Sequence, residues 1–214
     1  MEENVFFRSG LLKIEGLLHS APGKRAAVLT HPHPLYGGDM TNNVVESLAL
    51  AFRKSGYTTL RFNFRGSGRS EGAFDEGIGE QDDVSAAIEY LREQGKSSVD
   101  LAGYSFGAWV NAMGFGRFEG VDRMIMVSPP VNFLDFSFFG YHEKLALVIA
   151  GSHDDIGPPR MIQEMLPVWN PKARFDIIQG ADHFYLGKTE RIEEIVRDFL
   201  ENEKIKGDGE GSNG

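Results

Sequence analysis

Two hydropathy patterns alternate along the chain. Short runs that are continuously apolar, or rich in β-branched and aromatic residues, are typical of strands in a sheet. Longer segments whose apolar residues recur every three or four positions are typical of helices that pack one face inward. The predicted strands are 5–8, 11–18, 25–30, 57–64, 99–104, 122–127, 144–150 and 174–178, and the predicted helices are 43–55, 80–94, one that starts after Ser105, and 189–202.

This order of elements predicts one α/β domain. The first two strands flank a Ser9-Gly10 turn and form an antiparallel hairpin at one edge. The later strands alternate with helices, which favours right-handed crossovers and a mostly parallel sheet covered on both faces. The chain has 214 residues, and single α/β domains commonly have about 200–250. We expect the domain to span 1–203.

The last residues, 204–214, are glycine-rich and charged, so they are expected to be a disordered tail. They match the G-x-G-x-x-G pattern of dinucleotide-binding loops. No strand is predicted before the match and no helix after it, although that motif requires both. The sequence therefore indicates no nucleotide cofactor.

Amino-acid composition limits the classes of binding partner and the cellular compartment that we expect. The 22 Lys and Arg residues face 31 Asp and Glu residues, for a net charge of −9, so nucleic acid or an anionic membrane is not an expected partner. The chain contains no cysteine, which excludes disulfides, thiolate metal sites and a cysteine nucleophile. The N-terminus shows no basic segment followed by an apolar core, and no apolar run reaches about 18 residues. We therefore expect a cytoplasmic protein.

The segment 99–110 carries the main candidate for chemistry. Its G-x-S-x-G motif, Gly103 to Gly107, is the sequence of a nucleophile elbow, in which a sharp strand-to-helix turn exposes a serine hydroxyl. A strand and a helix that meet this closely leave no room for a Cβ atom at the flanking positions, so both are glycine. Ser105 is the predicted nucleophile, and an ordinary serine in a tight turn is the alternative.

A serine hydroxyl needs a base within hydrogen-bonding distance, and the base needs an orienting acid. His183 follows the last predicted strand and is the candidate base, with an ordinary surface histidine as the alternative. Asp154 follows the preceding strand and is the candidate acid. Its neighbour Asp155 is the main rival, and Asp182 is disfavoured because side chains adjacent to His183 diverge from it.

Several of these side chains follow predicted strands, and parallel α/β sheets bind ligands beyond the carboxyl ends of their strands. Arg65 at this edge contacts an anionic substrate or, as we favour, ties two loops together. His31, His33 and the nearby Asp39 could supply two imidazoles and a carboxylate to a zinc ion. No third histidine follows, so we expect no metal. The strand-end residues are His31, Arg65, Ser105, Asp154 and His183.

From the loop that begins at His31 to its last predicted helix, the chain resembles the α/β-hydrolase family. Gly151, Asp154 and Pro158 match the family's acid loop, G-x-x-D with a proline four positions later. Two other stretches, HPHPLYGG at 31–38 and NFRGSG at 63–68, resemble a compact, lid-poor branch near the dienelactone-hydrolase-like proteins. True dienelactone hydrolases have a cysteine nucleophile, so their substrate is not implied.

The oxyanion of acyl transfer needs two hydrogen-bond donors. One is the backbone N–H of Phe106, the residue after the nucleophile. The second is expected from the loop after strand 25–30, where Pro32 and Pro34 have no N–H. The resemblance implies the N–H of His33, with that of Leu35 as the alternative. The two histidine rings, His31 and His33, would then support the loop through hydrogen bonds.

The sequence predicts a serine hydrolase of small or short-acyl carboxylic esters that works through an acyl-enzyme without a cofactor. The aromatic stretch 133–141 occupies the family's lid position, but it is too short for a helical cap. We therefore expect an open cleft with an aromatic wall; a contact in a homodimer is the other explanation for this stretch. The same residues could cleave thioesters or peptides, and a binding protein that has lost catalysis is the alternative from another class.

Overall fold

One mixed β-sheet organises the computed structural model of the protein, which describes the backbone of residues 1–210 and the side chains of 1–202. Within these residues the sheet has eight strands in the order β1-β2-β4-β3-β5-β6-β7-β8. The strands are β1 (Glu3–Ser9), β2 (Leu12–His19), β3 (Arg25–Thr30), β4 (Thr58–Phe62), β5 (Ser98–Tyr104), β6 (Val121–Val127), β7 (Leu145–Gly151) and β8 (Arg174–Ile178). The helices are α1 (Asn43–Lys54), α2 (Ile78–Glu93), α3 (Phe106–Gly114), α4 (Pro159–Trp169) and α5 (Thr189–Glu210).

The antiparallel part of the sheet is confined to the N-terminal edge. β1 and β2 form a hairpin whose register runs from Glu3 opposite Leu18 to Ser9 opposite Leu12. β2 also pairs antiparallel with β4, and the strands from β4 to β8 in the sheet order pair in parallel. The predicted fold class, a mostly parallel sheet with an antiparallel edge, is confirmed.

Each face of the sheet is covered by its own apolar core. Ala26 and Val28 of β3 face the side where α2, α3 and α4 pack, whereas Ala27 and Leu29 face α1 and α5. A strand buried on both faces needs apolar residues at successive positions. This explains why the central strands read as continuous apolar runs in the sequence.

Two proline-initiated helical segments were not predicted. α4 begins at Pro159, and a one-turn 3₁₀ helix, Pro34–Tyr36, lies in the loop after β3. Proline fits the first helical position because its fixed φ suits the helix and its missing N–H would have no partner there. Pro167 lies within the last turn of α4. The prolines of these two segments therefore begin a helix or lie near its end.

α5 extends to Glu210, beyond the predicted helix end at 202. The side chains from residue 203 onward and the backbone from 211 onward lie outside the described residues. The expected disorder of 204–214 therefore stays a prediction. In the part of the chain that is described, no helix is long and apolar enough to cross a membrane.

Candidate active site

The elbow between β5 and α3 places Ser105 in a strained backbone conformation, with φ 53° and ψ −119°. A Cβ atom on Gly103 would lie 2.7 Å from the backbone nitrogen of Ala108, and one on Gly107 would lie 2.7 Å from the carbonyl of Thr30. Both distances are too short for any side chain. The glycines therefore allow the close strand–helix packing that presents the serine.

The structure brings Ser105, His183 and Asp154 together. His183 Nε2 is 2.9 Å from Ser105 Oγ, and His183 Nδ1 is 3.0 Å from each carboxylate oxygen of Asp154. All three side chains are buried. The rival acids lie elsewhere: Asp155 is exposed, and Asp182 accepts the backbone N–H groups of the two residues after His183.

The acid loop holds Asp154 as an anion. Its Oδ1 accepts the backbone N–H groups of Ile156 and Gly157 at 2.9 and 2.7 Å, and its Oδ2 accepts the hydroxyl of Ser128 at 2.5 Å. Burial raises the pKa of Asp154, but the hydrogen bond and charge of His183, with the Gly157 and Ser128 donors, outweigh burial and hold the pKa below its ordinary value. The carboxylate is therefore ionised at neutral pH.

The ionised carboxylate decides the tautomer of His183. A carboxylate can only accept, so the Nδ1 atom that faces Asp154 carries the proton and donates it. Neutral imidazole then has its lone pair on Nε2, the atom that faces Ser105. The serine hydroxyl consequently donates to Nε2, which is the direction in which a base removes a proton.

Two backbone amides, one directly after Ser105 and one in the loop after β3, have no partner among the described residues. The N–H groups of Phe106 and His33 donate no hydrogen bond to any described residue. The ring of His33 lies 4.7 Å from that of Phe106 between centroids, so the residues that carry these amides are neighbours. By contrast, the N–H of Leu35 donates to His33 Nδ1 at 3.3 Å and is thereby occupied.

His31 joins two loops at this edge of the sheet. Its Nδ1 donates to the carbonyl of Pro32 at 2.7 Å, and its Nε2 accepts the backbone N–H of Phe64 at 3.0 Å. Both ring nitrogens are therefore used within the protein. Asp39 likewise binds the N–H and hydroxyl of Thr41. Among the described residues, no three His, Asp or Glu side chains are close enough together to hold a metal ion.

His31 should make the protein sensitive to acid. Burial lowers its pKa to about 4 from 6.5, so the unfolded chain binds this proton more tightly and stability falls as the pH drops from about 6.5 towards 4. This difference between the pKa values of the unfolded and folded states corresponds to about 3 kcal/mol of unfolding free energy. We expect His31→Gln to reduce the loss of unfolding free energy between pH 7 and pH 4 by about that amount in urea titrations. An equal loss in both proteins would contradict this assignment.

Arg65 makes structural contacts, as we favoured from the sequence, but it joins a loop to a helix rather than two loops. Its Nε and Nη2 bind Asp83 of α2 at 3.1 and 2.8 Å, and its backbone N–H donates to the same carboxylate at 3.0 Å. Nη2 also reaches the hydroxyl of Ser9 at 3.4 Å. Because Asp83 is fully buried, this two-point pair ties the loop after β4 to α2.

The predicted aromatic wall is only partly exposed. Phe136 and Phe139 are buried against Trp169 of α4, whereas Phe133 and Tyr141 are exposed. No helix separates β6 from β7, so the expected absence of a helical cap holds. Packing against Trp169 therefore accounts for Phe136 and Phe139, whereas Phe133, Phe138 and Tyr141 leave aromatic surface exposed.

Three side chains near the site were missed in the sequence. Phe74 packs its ring 4.9 Å from the ring of His33. Tyr104 donates its hydroxyl to the carbonyl of His183 at 2.7 Å, which ties the histidine loop to the elbow strand. Ser128 contacts Asp154 and directly follows β6, so the strand-end rule that selected the other candidates would have found it. No comparable signal marks Phe74.

A family model and a curated relative both match this chain. The family model of X-Pro dipeptidyl-peptidases (S15 family) matches residues 19–143, a segment that includes Ser105. An uncharacterised protein of Rickettsia prowazekii is 34% identical over 208 residues, which cover 92% of this chain and 87% of the relative. Together these matches span both the elbow and the loops that carry Asp154 and His183.

Solved structures with the same architecture include two that are similar in sequence as well. An α/β serine hydrolase homologue of Coxiella burnetii is 30% identical, with a TM-score of 0.85 over 92% of this chain and 96% of that one. A Xanthomonas campestris protein described as an α/β serine hydrolase without a lid is 29% identical, with a TM-score of 0.83 over 94% of each chain.

Proposed function

The chain belongs to the X-Pro dipeptidyl-peptidase (S15) family of hydrolases, and we propose that it cleaves small or short-acyl carboxylic esters through an acyl-enzyme. Ser105 is the nucleophile, His183 the general base and acid, and Asp154 the orienting acid. One observation carries this proposal: Ser105 Oγ lies 2.9 Å from Nε2 of an imidazole whose other nitrogen contacts a buried carboxylate.

In the first half of the reaction, His183 Nε2 takes the hydroxyl proton while Ser105 Oγ bonds to the ester carbonyl carbon. The carbon–oxygen bond to the alcohol then breaks, and Nε2 returns the proton to the leaving alcohol. In the second half, water replaces the serine hydroxyl and releases the acid. Asp154 stays ionised throughout and stabilises the transient imidazolium.

The free N–H groups of Phe106 and His33 bind the negative oxygen that forms when the carbonyl is attacked. Phe106 is the first residue of α3, and the first amides of a helix have no intrahelical acceptor and carry its partial positive charge. Donors that are already in place when the charge develops need no rearrangement during the reaction. This assigns the second donor to His33 and leaves Leu35 with a structural role.

Substituting His33 tests the second donor. Its φ of −58° suits proline, so His33→Pro removes the N–H without forcing a new backbone angle, whereas His33→Ala removes only the ring. We expect kcat of His33→Pro to lie about 10²- to 10³-fold below that of His33→Ala. The comparison is made with p-nitrophenyl acetate. Equal rates in the two variants would reject His33 as a donor.

The absence of a helical cap between β6 and β7 supports small or short-acyl substrates. Without a cap, a long acyl chain would lie in water and gain little from apolar burial, which contributes about 0.8 kcal/mol for each buried CH₂ group. The lid-free relative from Xanthomonas campestris has the same overall architecture. A small-molecule ester is therefore the proposed partner of this site.

Peptide cleavage is the second candidate, and the family match favours it. The proposed triad would attack an amide in the same way, with an amine in place of the alcohol as leaving group. The difference between the two candidates lies in what binds beside Ser105. Only direct comparison of ester and amide substrates separates them.

The experiment is a substrate series on the purified chain with p-nitrophenyl acetate, butyrate, octanoate and laurate, and with alanyl-prolyl-p-nitroanilide. We expect the highest kcat/KM for the acetate or butyrate and little turnover of the anilide. The reverse order would favour the peptidase. In parallel, a fluorophosphonate label is located by peptide mass spectrometry, and we expect it on Ser105. No turnover and no label would point to a binding protein that has lost catalysis.

A further inference from the structure

Two further hydroxyl groups, those of Ser128 and Tyr185, extend the hydrogen bonds of Asp154. The hydroxyl of Ser128 is 2.5 Å from Asp154 Oδ2 and 2.6 Å from the hydroxyl of Tyr185. Ser128 and Tyr185 are both fully buried, at 0% exposure. The hydrogen-bonded chain therefore continues from Ser105 through His183 and Asp154 to two further side chains.

Chemistry decides the direction of these hydrogen bonds. The ionised carboxylate of Asp154 can only accept, so the single proton of the Ser128 hydroxyl is donated to it. Ser128 then has only lone pairs to offer, and Tyr185 must be the donor in its bond with Ser128. Burial raises the pKa of Tyr185, which keeps the phenol protonated for this purpose. The Tyr185 hydroxyl thus donates to the Ser128 hydroxyl, which donates to Asp154 Oδ2.

These hydroxyls have no other use within the described residues. Ser128 Oγ bonds only to Asp154 and Tyr185, and the Tyr185 hydroxyl bonds only to Ser128. Burying a hydroxyl is unfavourable unless it finds a partner. The two side chains therefore satisfy each other and end on the carboxylate.

The backbone of these residues is also unusual. Among the described residues, four that are not glycine have a positive φ. Three of them, Ser105, Ser128 and Tyr185, belong to this series of hydrogen bonds, with φ values of 53°, 45° and 55°. Such angles are unfavourable for residues with a Cβ atom and persist where the surroundings impose them, often at functional sites.

We propose that Ser128 and Tyr185 are positioning residues for the reaction, an inference that rests on the proposed triad. The loop amides of Ile156 and Gly157 hold Oδ1 of Asp154. Within the described residues, Oδ2 has one partner besides His183, Ser128, which directly follows β6. Ser128, aligned by Tyr185, fixes the plane of the carboxylate so that both oxygens face His183 Nδ1.

The test compares Ser128→Ala, Tyr185→Phe and the double variant with wild type. Hydrogen bonds to charged groups are strong enough that we expect Ser128→Ala to lower kcat about 10- to 100-fold, with KM little changed because neither side chain touches the substrate. Tyr185→Phe should lower kcat by less. Because Tyr185 acts only through Ser128, adding Tyr185→Phe to Ser128→Ala should produce no further decrease.

Tyr57→Phe is the matched control. Tyr57 is also a buried tyrosine in a charged network, and its hydroxyl binds Arg123 at 2.8 Å. It lies just before β4, at the amino ends of the parallel strands, whereas Ser105 lies at their carboxyl ends. We expect a decrease in Tm comparable with that of Tyr185→Phe, and an unchanged kcat.

A spectroscopic readout separates this inference from the proposed function. The proton on His183 Nδ1, observed by NMR of ¹⁵N-histidine-labelled protein, should move to lower field in Ser128→Ala, because Asp154 becomes a stronger acceptor when it loses a donor. If the wild type hydrolyses no ester, the proposed function fails while this resonance still reports on positioning. An unchanged resonance in Ser128→Ala, or the same kcat in Tyr185→Phe as in wild type, would overturn the proposal.

Discussion

Ser105→Ala is expected to lower kcat for p-nitrophenyl acetate by about 10⁶-fold, the largest effect among these variants. Alanine removes the oxygen that bonds to the acyl group, so no acyl-enzyme can form. His183 and the two free amides remain in place, and they support only slow attack by water. KM should change little, because the hydroxyl contributes to the reaction rather than to ground-state binding.

The matched control is Ser85→Ala. Ser85 lies on α2 beside β1 residues Phe6 and Phe7, on a different part of the surface from Ser105, and its replacement should leave kcat unchanged. The fluorophosphonate should label Ser85→Ala and fail to label Ser105→Ala. Turnover by Ser105→Ala at a substantial fraction of the wild-type rate would rule out the serine mechanism.

Asp154→Asn is expected to lower kcat by about 10⁴-fold through the tautomer of His183. The backbone donors of Ile156 and Gly157 require an oxygen at the Oδ1 position. The amide nitrogen of asparagine must then take the Oδ2 position, where it faces His183 Nδ1 and donates to it. The imidazole proton moves to Nε2, which can no longer accept the proton of Ser105.

Asp155→Asn makes the same chemical change one residue away. The side chain of Asp155 is exposed, and the contact of this residue with Asn132 uses its backbone carbonyl. We expect its kcat and its thermal stability to match those of wild type. Loss of activity in Asp155→Asn with retention in Asp154→Asn would reverse the assignment of the acid.

Features of the fold that depend on local sequence were predictable. The period-two and apolar runs identify the strands, and the helical spacing of 43–55 and 80–94 identifies α1 and α2, because each pattern reflects which faces of one element are buried. α4 was not predicted, and it has prolines at its first position and in its last turn. Proline is unfavourable in a helix interior but not at the first position, and only the boundaries of the helix show which applies.

The sequence by itself determined the α/β architecture, the elbow at Ser105 and the set of strand-end residues from which a site could be built. Tertiary structure decided which side chains meet: Asp154 rather than Asp155 contacts His183, and the N–H of Leu35 is occupied by the ring of His33. It also decided that the hydroxyl of Ser128 contacts both Asp154 and Tyr185. Contacts of this kind join residues from different strands, and their directions depend on side-chain torsions and loop turns that leave no periodic trace in the sequence.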